Sequence, residues 1–296
     1  MREFDEIILK QVYLPESSSH KGQNGKLLII GGSSLFHAAS LWALQIASKI
    51  VDMVFYASVP ENNQIVHEAK LEFRNGIVVP REDLENYIEE ADCILIGPGM
   101  VRTDAPISES KLALKSLKTL SSIKDEGAQT FLLTEYLLRK YPHKKWVIDA
   151  GALQMLNPKW LLPLKGNAIL TPHEKEFERT FNLKATEENV ANMAALYKTT
   201  IILKGHADIV CDSSECVVVK GGNAGMTKGG TGDILAGLVA ALYCKNNAFL
   251  SATAGSYINK RAGDSLFKRV GYYFNASDLA NEIPRVMKEL LFLQFL

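Results

Sequence analysis

Asn223-Ala-Gly-Met-Thr-Lys-Gly-Gly-Thr-Gly-Asp233 runs directly into Ile234-Leu-Ala-Gly-Leu-Val-Ala-Ala-Leu-Tyr243. Five glycines, Gly225, Gly229, Gly230, Gly232 and Gly237, crowd the junction. Glycine lets backbone N–H groups come close to a bound group. The apolar run behind them reads as a helix, so the glycines sit at its N-terminus. Unpaired N–H groups and the helix dipole make that end an anion site. A carboxylate beside a phosphate is repelled, so Asp233 needs a task there. A base that takes the proton of an attacking hydroxyl, next to a phosphoryl group in transit, supplies one. The competing reading has Asp233 cap the helix and offset its dipole. Capping explains one Asp and one Gly but not the whole cluster, and the catalytic reading is preferred.

Strand and helix patterns alternate along most of the chain. Lys26–Ile30, Val51–Tyr56, Gly76–Val79, Asp92–Ile96, Trp146–Asp149, Ala168–Leu170 and Thr200–Leu203 read as strands. Ala38–Ile50 has helical spacing, and Arg81–Glu90 reads as a polar helix. Ala207–Cys211 and Glu215–Val219 pair as a hairpin around Asp212-Ser-Ser. Helices dominate after Thr231, over Ile234–Tyr243, Phe249–Ala262 and Ser277–Leu290. The alternation predicts an α/β fold, a mostly parallel central sheet with helices on both faces. No internal repeat or linker interrupts it, so one domain over residues 1–296 is expected. Glycine-containing or polar loops follow the strand ends: Gly31-Gly-Ser-Ser34, Gly97-Pro-Gly-Met100, Asp149-Ala-Gly151, Thr171-Pro-His173 and Lys204-Gly-His206. Ligands of open α/β sheets bind at that edge, so these loops are expected to converge on one crevice.

The 296 residues carry 33 basic and 33 acidic side chains, which gives no reason to expect nucleic acid or an anionic membrane as partner. No apolar run is long enough to span a bilayer, and Met1-Arg-Glu-Phe-Asp-Glu6 lacks the apolar core of a secretory signal. A cytoplasmic protein is expected. Cys93 and Cys244 sit in apolar runs and read as buried thiols. Cys211 and Cys216 flank the hairpin tip and read as reduced thiols, with no second pair to complete a zinc site. The closing Leu290-Leu-Phe-Leu-Gln-Phe-Leu296 is expected to pack on the body or on a neighbouring subunit. Neither a P-loop nor a Rossmann glycine fingerprint is present, so any phosphate site is of another kind.

Thr171-Pro-His-Glu-Lys-Glu-Phe177 together with Asn223…Gly229-Gly-Thr-Gly-Asp233 resembles the ADP-dependent NAD(P)H-hydrate dehydratases of the ribokinase-like superfamily. His20-Lys-Gly-Gln-Asn-Gly25, Ile96-Gly-Pro-Gly99, Val147-Ile-Asp-Ala150, Ile202-Leu-Lys-Gly205 and Ala276-Ser-Asp-Leu-Ala…Ile283-Pro284 fit the family in order. The resemblance implies repair of NADH and NADPH hydrated on the nicotinamide ring, acting on the S epimer. Microbial members use ADP and animal ones ATP. The ring hydroxyl is phosphorylated, phosphate leaves, the double bond returns, and AMP is released.

The resemblance also implies residue roles. Asp233 is the base. Backbone N–H groups of Gly229, Gly230, Thr231 and Gly232 hold the moving phosphoryl group. Lys204, Gly205, His206, Ala207 and Asp208 hold the AMP part, largely through backbone. Ala39, Gly97, Gly99 and His173 contact the hydrated nicotinamide nucleotide. Mg²⁺ accompanies the diphosphate, with Glu176 a candidate contributor through water. A homo-oligomer, a tetramer on the family's pattern, is expected, without the family's separate epimerase domain. The chain departs from the pattern at several positions. Glu174-Lys175 replaces Pro-Gly, Ala38 replaces a Gly, Asp208 stands where Thr is common, and Lys228 where a small residue is common. The role of Asp208 stays open, and Lys228 could aid phosphate binding. From the residues alone, Asp149 is equally an N-cap or a crevice residue, and His173 is a capping or a contact residue. His206 reads as a loop residue, and His37 sits in the first loop, where it could line the crevice. Two rival readings stand beside the dehydratase: a small-molecule kinase of the same superfamily, acting on a thiazole alcohol or a sugar, and a nucleotide sensor without catalysis.

Overall fold

The computed structural model of the chain describes residues 2–71, 74–105 and 116–292. Among these residues ten strands form one sheet. They are β1 (Arg2–Glu3), β2 (Lys26–Ile30), β3 (Met53–Ala57), β4 (Ile77–Val78), β5 (Cys93–Ile96), β6 (Lys145–Ile148), β7 (Ala168–Leu170), β8 (Thr200–Leu203), β9 (Asp208–Cys211) and β10 (Cys216–Val219). Their order is β1-β10-β9-β8-β7-β6-β5-β2-β3-β4. Pairing is parallel from β4 to β8 and antiparallel on both sides of β9. The central strands are runs of Leu, Ile and Val because both of their faces are covered.

Successive side chains point to opposite faces of a strand. Leu27, Ile29, Leu95, Val147 and Ile202 therefore belong to one apolar core. It is built with the helices α1 (Ala38–Ala47), α8 (Thr231–Tyr243), α9 (Ala248–Val270) and α10 (Ala276–Leu291). Leu28, Ile30, Ile94, Trp146 and Ile148 face the other core. That core contains residues of α3 (Leu84–Glu90), α4 (Glu126–Lys140), α5 (Ala150–Gln154), α6 (Glu174–Phe181) and α7 (Glu187–Tyr197). A further helix, α2 (Pro60–Ala69), follows β3. The expected α/β architecture with helices on both faces is what the chain adopts.

Strand order reverses between β2 and β5, since β3 and β4 lie on one side of that pair and β6, β7 and β8 on the other. Such a reversal opens a crevice beyond the strand ends. The loops after β2 and β5 meet there, with Gly32 N–H donating to the Pro98 carbonyl at 2.7 Å.

Several boundaries differ from expectation. Residues 81–83 form a 3₁₀ turn before α3 begins at Leu84. Helix α1 stops at Ala47, three residues short of the expected end. Cys211 and Cys216 are not reduced thiols but a disulfide. The hairpin register makes them direct cross-strand partners, so both sulfurs stand on one face of adjacent strands. Cys93 and Cys244 are buried free thiols, as expected. Of the apolar closing segment, Leu291 is buried and Phe292 exposed, and residues 293–296 lie outside the described residues. Among the described residues no helix is long and apolar enough to cross a membrane.

Candidate active site

The glycine-rich turn is a 3₁₀ segment, Ala224–Thr227, leading into α8. Gly230 is the N-cap of α8 with φ +95°, a left-handed conformation that favours glycine, and its side-chain position is filled by the Trp42 ring and Ala276. Thr231 locks the turn by donating its hydroxyl to the carbonyls of Met226 at 2.6 Å and Lys228 at 2.9 Å. Around the side-chain position of Gly229 there is open space. A side chain on Gly232 would point at the Lys204 ammonium, 3.6 Å away. The amides at the head of α8 and one ammonium thus share a small volume.

Lys204, which directly follows β8, is tied to that volume by carboxylates. Its Nζ lies 3.0 Å from Asp149 Oδ1 and 3.8 Å from Glu176 Oε2. Burial opposes the charge of Lys204, but Asp149, Glu176 and Asp233 outweigh it and hold the ammonium above its ordinary value. Asp149 is buried at the end of β6 and also accepts the Thr171 hydroxyl at 2.7 Å. It occupies the N-cap position of α5, but its side chain makes no capping bond there and turns to Lys204 and Thr171 instead. The next residue, Ala150, has φ +42°, a strained conformation for alanine. Glu176 is buried at the start of α6. One of its oxygens accepts from Gln154 at 3.0 Å and the other from the His173 backbone at 2.9 Å.

Asp233 sits in the first turn of α8. Burial first, then the neighbouring Asp149, push its carboxyl up to about 7, with Lys204 pulling the other way. The cap of α8 is the backbone of Gly230, without a side-chain bond. Asp233 is the acidic residue of the first turn, so it also offsets the helix dipole, and the two readings of Asp233 are compatible.

Two edges adjoin this cluster. The first is the β2/β5 reversal, the place where ligands of such sheets bind. Gly99 packs there against Ala39 and Gly32, and Gly97 against the Asp149 carbonyl, so closely that any side chain would collide. His173 lies on the same edge as the N-cap of α6, its Nδ1 accepting from Glu176 N–H at 3.2 Å, with half of its side chain exposed. Capping and contact are thus compatible roles for His173. The second holds a cleft of about 390 Å³ lined by Lys204–His206, Asp208, Gly221–Ala224, Thr231 and Gly232. Asp233 is not in its lining; it lies one residue beyond Gly232.

The geometry settles the departures. Asp208 is buried in a pair with Lys260 at 3.1 Å and accepts from Ser256 at 2.7 Å and from Gly205 N–H at 3.0 Å. Its charge is neutralised inside the protein and does not confront a phosphate. Lys228 bonds the Tyr272 carbonyl and lies over the Phe274 ring, with the Gly225 carbonyl of its own turn 3.5 Å away. His37 bonds Asn62 at 3.1 Å. Glu174, Lys175 and Arg179 are exposed, as a solvated helix face requires. Sequence reading missed Asn259 and Lys260, neighbours on α9 and both buried. The available signal was Asn259-Lys260 directly behind Ser251–Ile258, a run of small and apolar residues without a charge.

A family model described as NAD(P)H-hydrate dehydratase matches residues 27–285. The bifunctional NAD(P)H-hydrate repair enzyme of Methanocaldococcus jannaschii is 38% identical over 95% of this chain. The chain spans about half of that relative's length, 51%. The ADP-dependent (S)-NAD(P)H-hydrate dehydratase of Nitrosopumilus maritimus is 32% identical, with 95% of each chain covered. A ribokinase-like superfamily protein from Enterococcus faecalis superposes with a TM-score of 0.79 at 24% identity, covering 98% of this chain and 96% of its own, so the fold is ribokinase-like. With motifs, fold and sequence match in agreement, the chain belongs to the NAD(P)H-hydrate dehydratase family.

Proposed function

We propose that this chain restores NADH and NADPH from the S epimers of their hydrates, using ADP as phosphoryl donor and releasing AMP and phosphate. The observation that carries the reading is Asp233. A carboxyl pushed to about 7, one residue beyond a glycine turn, is matched to taking a proton from an alcohol near neutral pH. The hydrate lies in the β2/β5 crevice against Ala39, Gly97, Gly99 and His173. ADP lies in the neighbouring cleft, its AMP part along Lys204, Gly205, His206, Ala207 and Asp208. Its terminal phosphate meets the amides of Gly229, Gly230, Thr231 and Gly232.

Asp233 takes the proton of the ring hydroxyl as its oxygen attacks the terminal phosphorus. The bond from that phosphorus to the bridging oxygen breaks, and AMP leaves. The ring C–O bond then breaks with its electron pair going to phosphate, a far better leaving group than hydroxide. Loss of a proton from the adjacent ring carbon restores the double bond. Lys204 and the turn amides neutralise charge on the moving group.

Among the described residues no group of three or more His, Cys, Asp or Glu could hold a metal unaided. Mg²⁺ would be held by the diphosphate, with Glu176 contributing through water, and would supply neutralisation of phosphate charge. A cytoplasmic homo-oligomer, a tetramer on the family's pattern, belongs to the same proposal, as does a single dehydratase domain over residues 1–296.

The test supplies hydrated NADPH and ADP and follows the absorbance of reduced nicotinamide. Recovery with ADP, lost in Asp233→Asn, is expected. No recovery with ADP or ATP, alongside stable phosphorylation of an alcohol, would replace the dehydratase by a small-molecule kinase.

A further inference from the structure

Asn259 projects from α9 into the lining of the nucleotide cleft. It is 4% exposed, and its side-chain Oδ1 has no hydrogen-bond partner. Four buried side-chain atoms among the described residues share that condition, and of these only Asn259 Oδ1 lines the cleft. A buried acceptor without a donor is uncommon and calls for a partner that arrives from outside. The adjacent Lys260 is not that partner, because its Nζ is spent on Asp208 and on the carbonyls of Gly205 and His206, each at 3.1 Å. It fastens the loop that opens the cleft, and Asn259 is left to face what enters.

The cleft has a direction. Gly232 and Lys204 mark its phosphate end, while Ala224, Met226 and Leu235 supply apolar wall. Apolar walls with one polar group at the edge suit a flat heterocycle. An Asn amide offers an acceptor and a donor side by side in one plane. Adenine shows the complement, its 6-amino donor next to a ring-nitrogen acceptor, which makes Asn a two-bond partner for adenine. On the edge that carries N7, hypoxanthine and guanine show two acceptors, O6 and N7, so one of the two bonds is lost whichever way the amide turns.

We infer that Asn259 reads the base edge of the donor nucleotide and sets a preference for 6-aminopurine diphosphates over 6-oxopurine ones. This rests on the ADP-dependent reading above. It makes Asn259 a specificity residue, remote from the proton and phosphoryl transfers.

The experiment measures binding of ADP and IDP by calorimetry to the full chain and to Asn259→Leu, which keeps the volume and removes both polar atoms. The unsubstituted chain is expected to favour ADP by roughly 5- to 150-fold, the discrimination of one two-bond base contact. In Asn259→Leu, ADP weakens and the preference falls to about 3-fold or less, a remainder within the spread of single-contact effects. The same ratio in both proteins overturns the assignment. Should the leucine variant fail to fold, the unsubstituted chain decides alone, since equal affinity for ADP and IDP also overturns it. Hydrate repair with ADP that persists alongside equal binding of IDP would sink this assignment and leave the reaction standing. No ADP binding at all would sink both.

Discussion

Asp233 is the residue on which charge, burial and chemistry meet. With its carboxyl near 7, the ligand-free protein holds it protonated in mild acid, and only the ionised form can accept a proton. The single-turnover rate of hydrate repair should therefore rise with pH through about 7 and then level off, as rapid-quench assays can follow. Asp233→Asn should lower kcat by about 10²–10⁴-fold while ADP still binds, because a charge repelling phosphate has been removed. Stability has the same origin. The folded-state value lies above the ordinary 3.8, so the native protein binds this proton more tightly than the unfolded chain. That contribution is full below about 3.8 and is lost as pH rises through about 7. Urea midpoints should thus fall between pH 5 and 8 more in the unsubstituted protein than in Asp233→Asn, and parallel curves would refute the assignment. Lys204 works in the opposite sense on Asp233. Lys204→Met should move the pH–rate limb to higher pH. It should also cost about 3–5 kcal/mol of stability by leaving Asp149 buried without its cation.

At the scale of elements, two glycines of the same turn-and-helix unit separate packing from function. Gly237 lies where α8 crosses α1, and a methyl group there would come 2.8 Å from the Cα and carbonyl oxygen of Ala43. Gly237→Ala gains about 1 kcal/mol of helix propensity but overpacks by about 1–3 kcal/mol, so a lower urea midpoint is expected. Gly229 has nothing near its side-chain position. Gly229→Ala should leave the urea midpoint unchanged, because the added methyl touches nothing, and should weaken ADP binding if the Gly229 amide meets the terminal phosphate as proposed. This unit was legible in sequence because its glycines and the apolar helix behind them are contiguous. The central strands were legible for a similar reason, each being a short apolar run ended by a turn signal. Helices α2, α4, α5 and α7 were not singled out; the apolar stripes of α2 (Asn62, Val66) and α7 (Val190, Ala194) are thin and α5 is short, whereas α4 has a full stripe, Leu132, Leu133, Leu137 and Leu138, that the sequence reading passed over. Strand β1 is two residues long and owes its existence to pairing with β10. The disulfide was misread because five residues of spacing permit either state, and only the strand register sets the two cysteines opposite each other. Asp149 stayed undecided because its cation is 55 residues away in sequence, at Lys204.

For the molecule as a whole, the sheet places the β2/β5 reversal beside the cleft at the head of α8. The two are joined through one buried line, from Gly97 on Asp149 to Lys204 at Gly232. A dehydratase that moves phosphate between two nucleotides needs both places filled at once, whereas a sensor of one nucleotide needs only one. Linkage can count them. A ligand that binds only the native state stabilises it by about 2.7 kcal/mol at 100 times its Kd. Asp233→Asn suits the measurement because neither ligand is consumed. ADP alone and hydrated NADPH alone should each raise the unfolding free energy of that variant by about 2.7 kcal/mol at 100 times Kd, and together by about twice that. If the pair stabilises no more than the better single ligand, the two nucleotides share one opening. Direct transfer from ADP to the hydrate would then be impossible in this fold. A sum well above additivity would instead mean that the Asp149–Lys204 pair couples the sites, with the first nucleotide ordering the edge that receives the second.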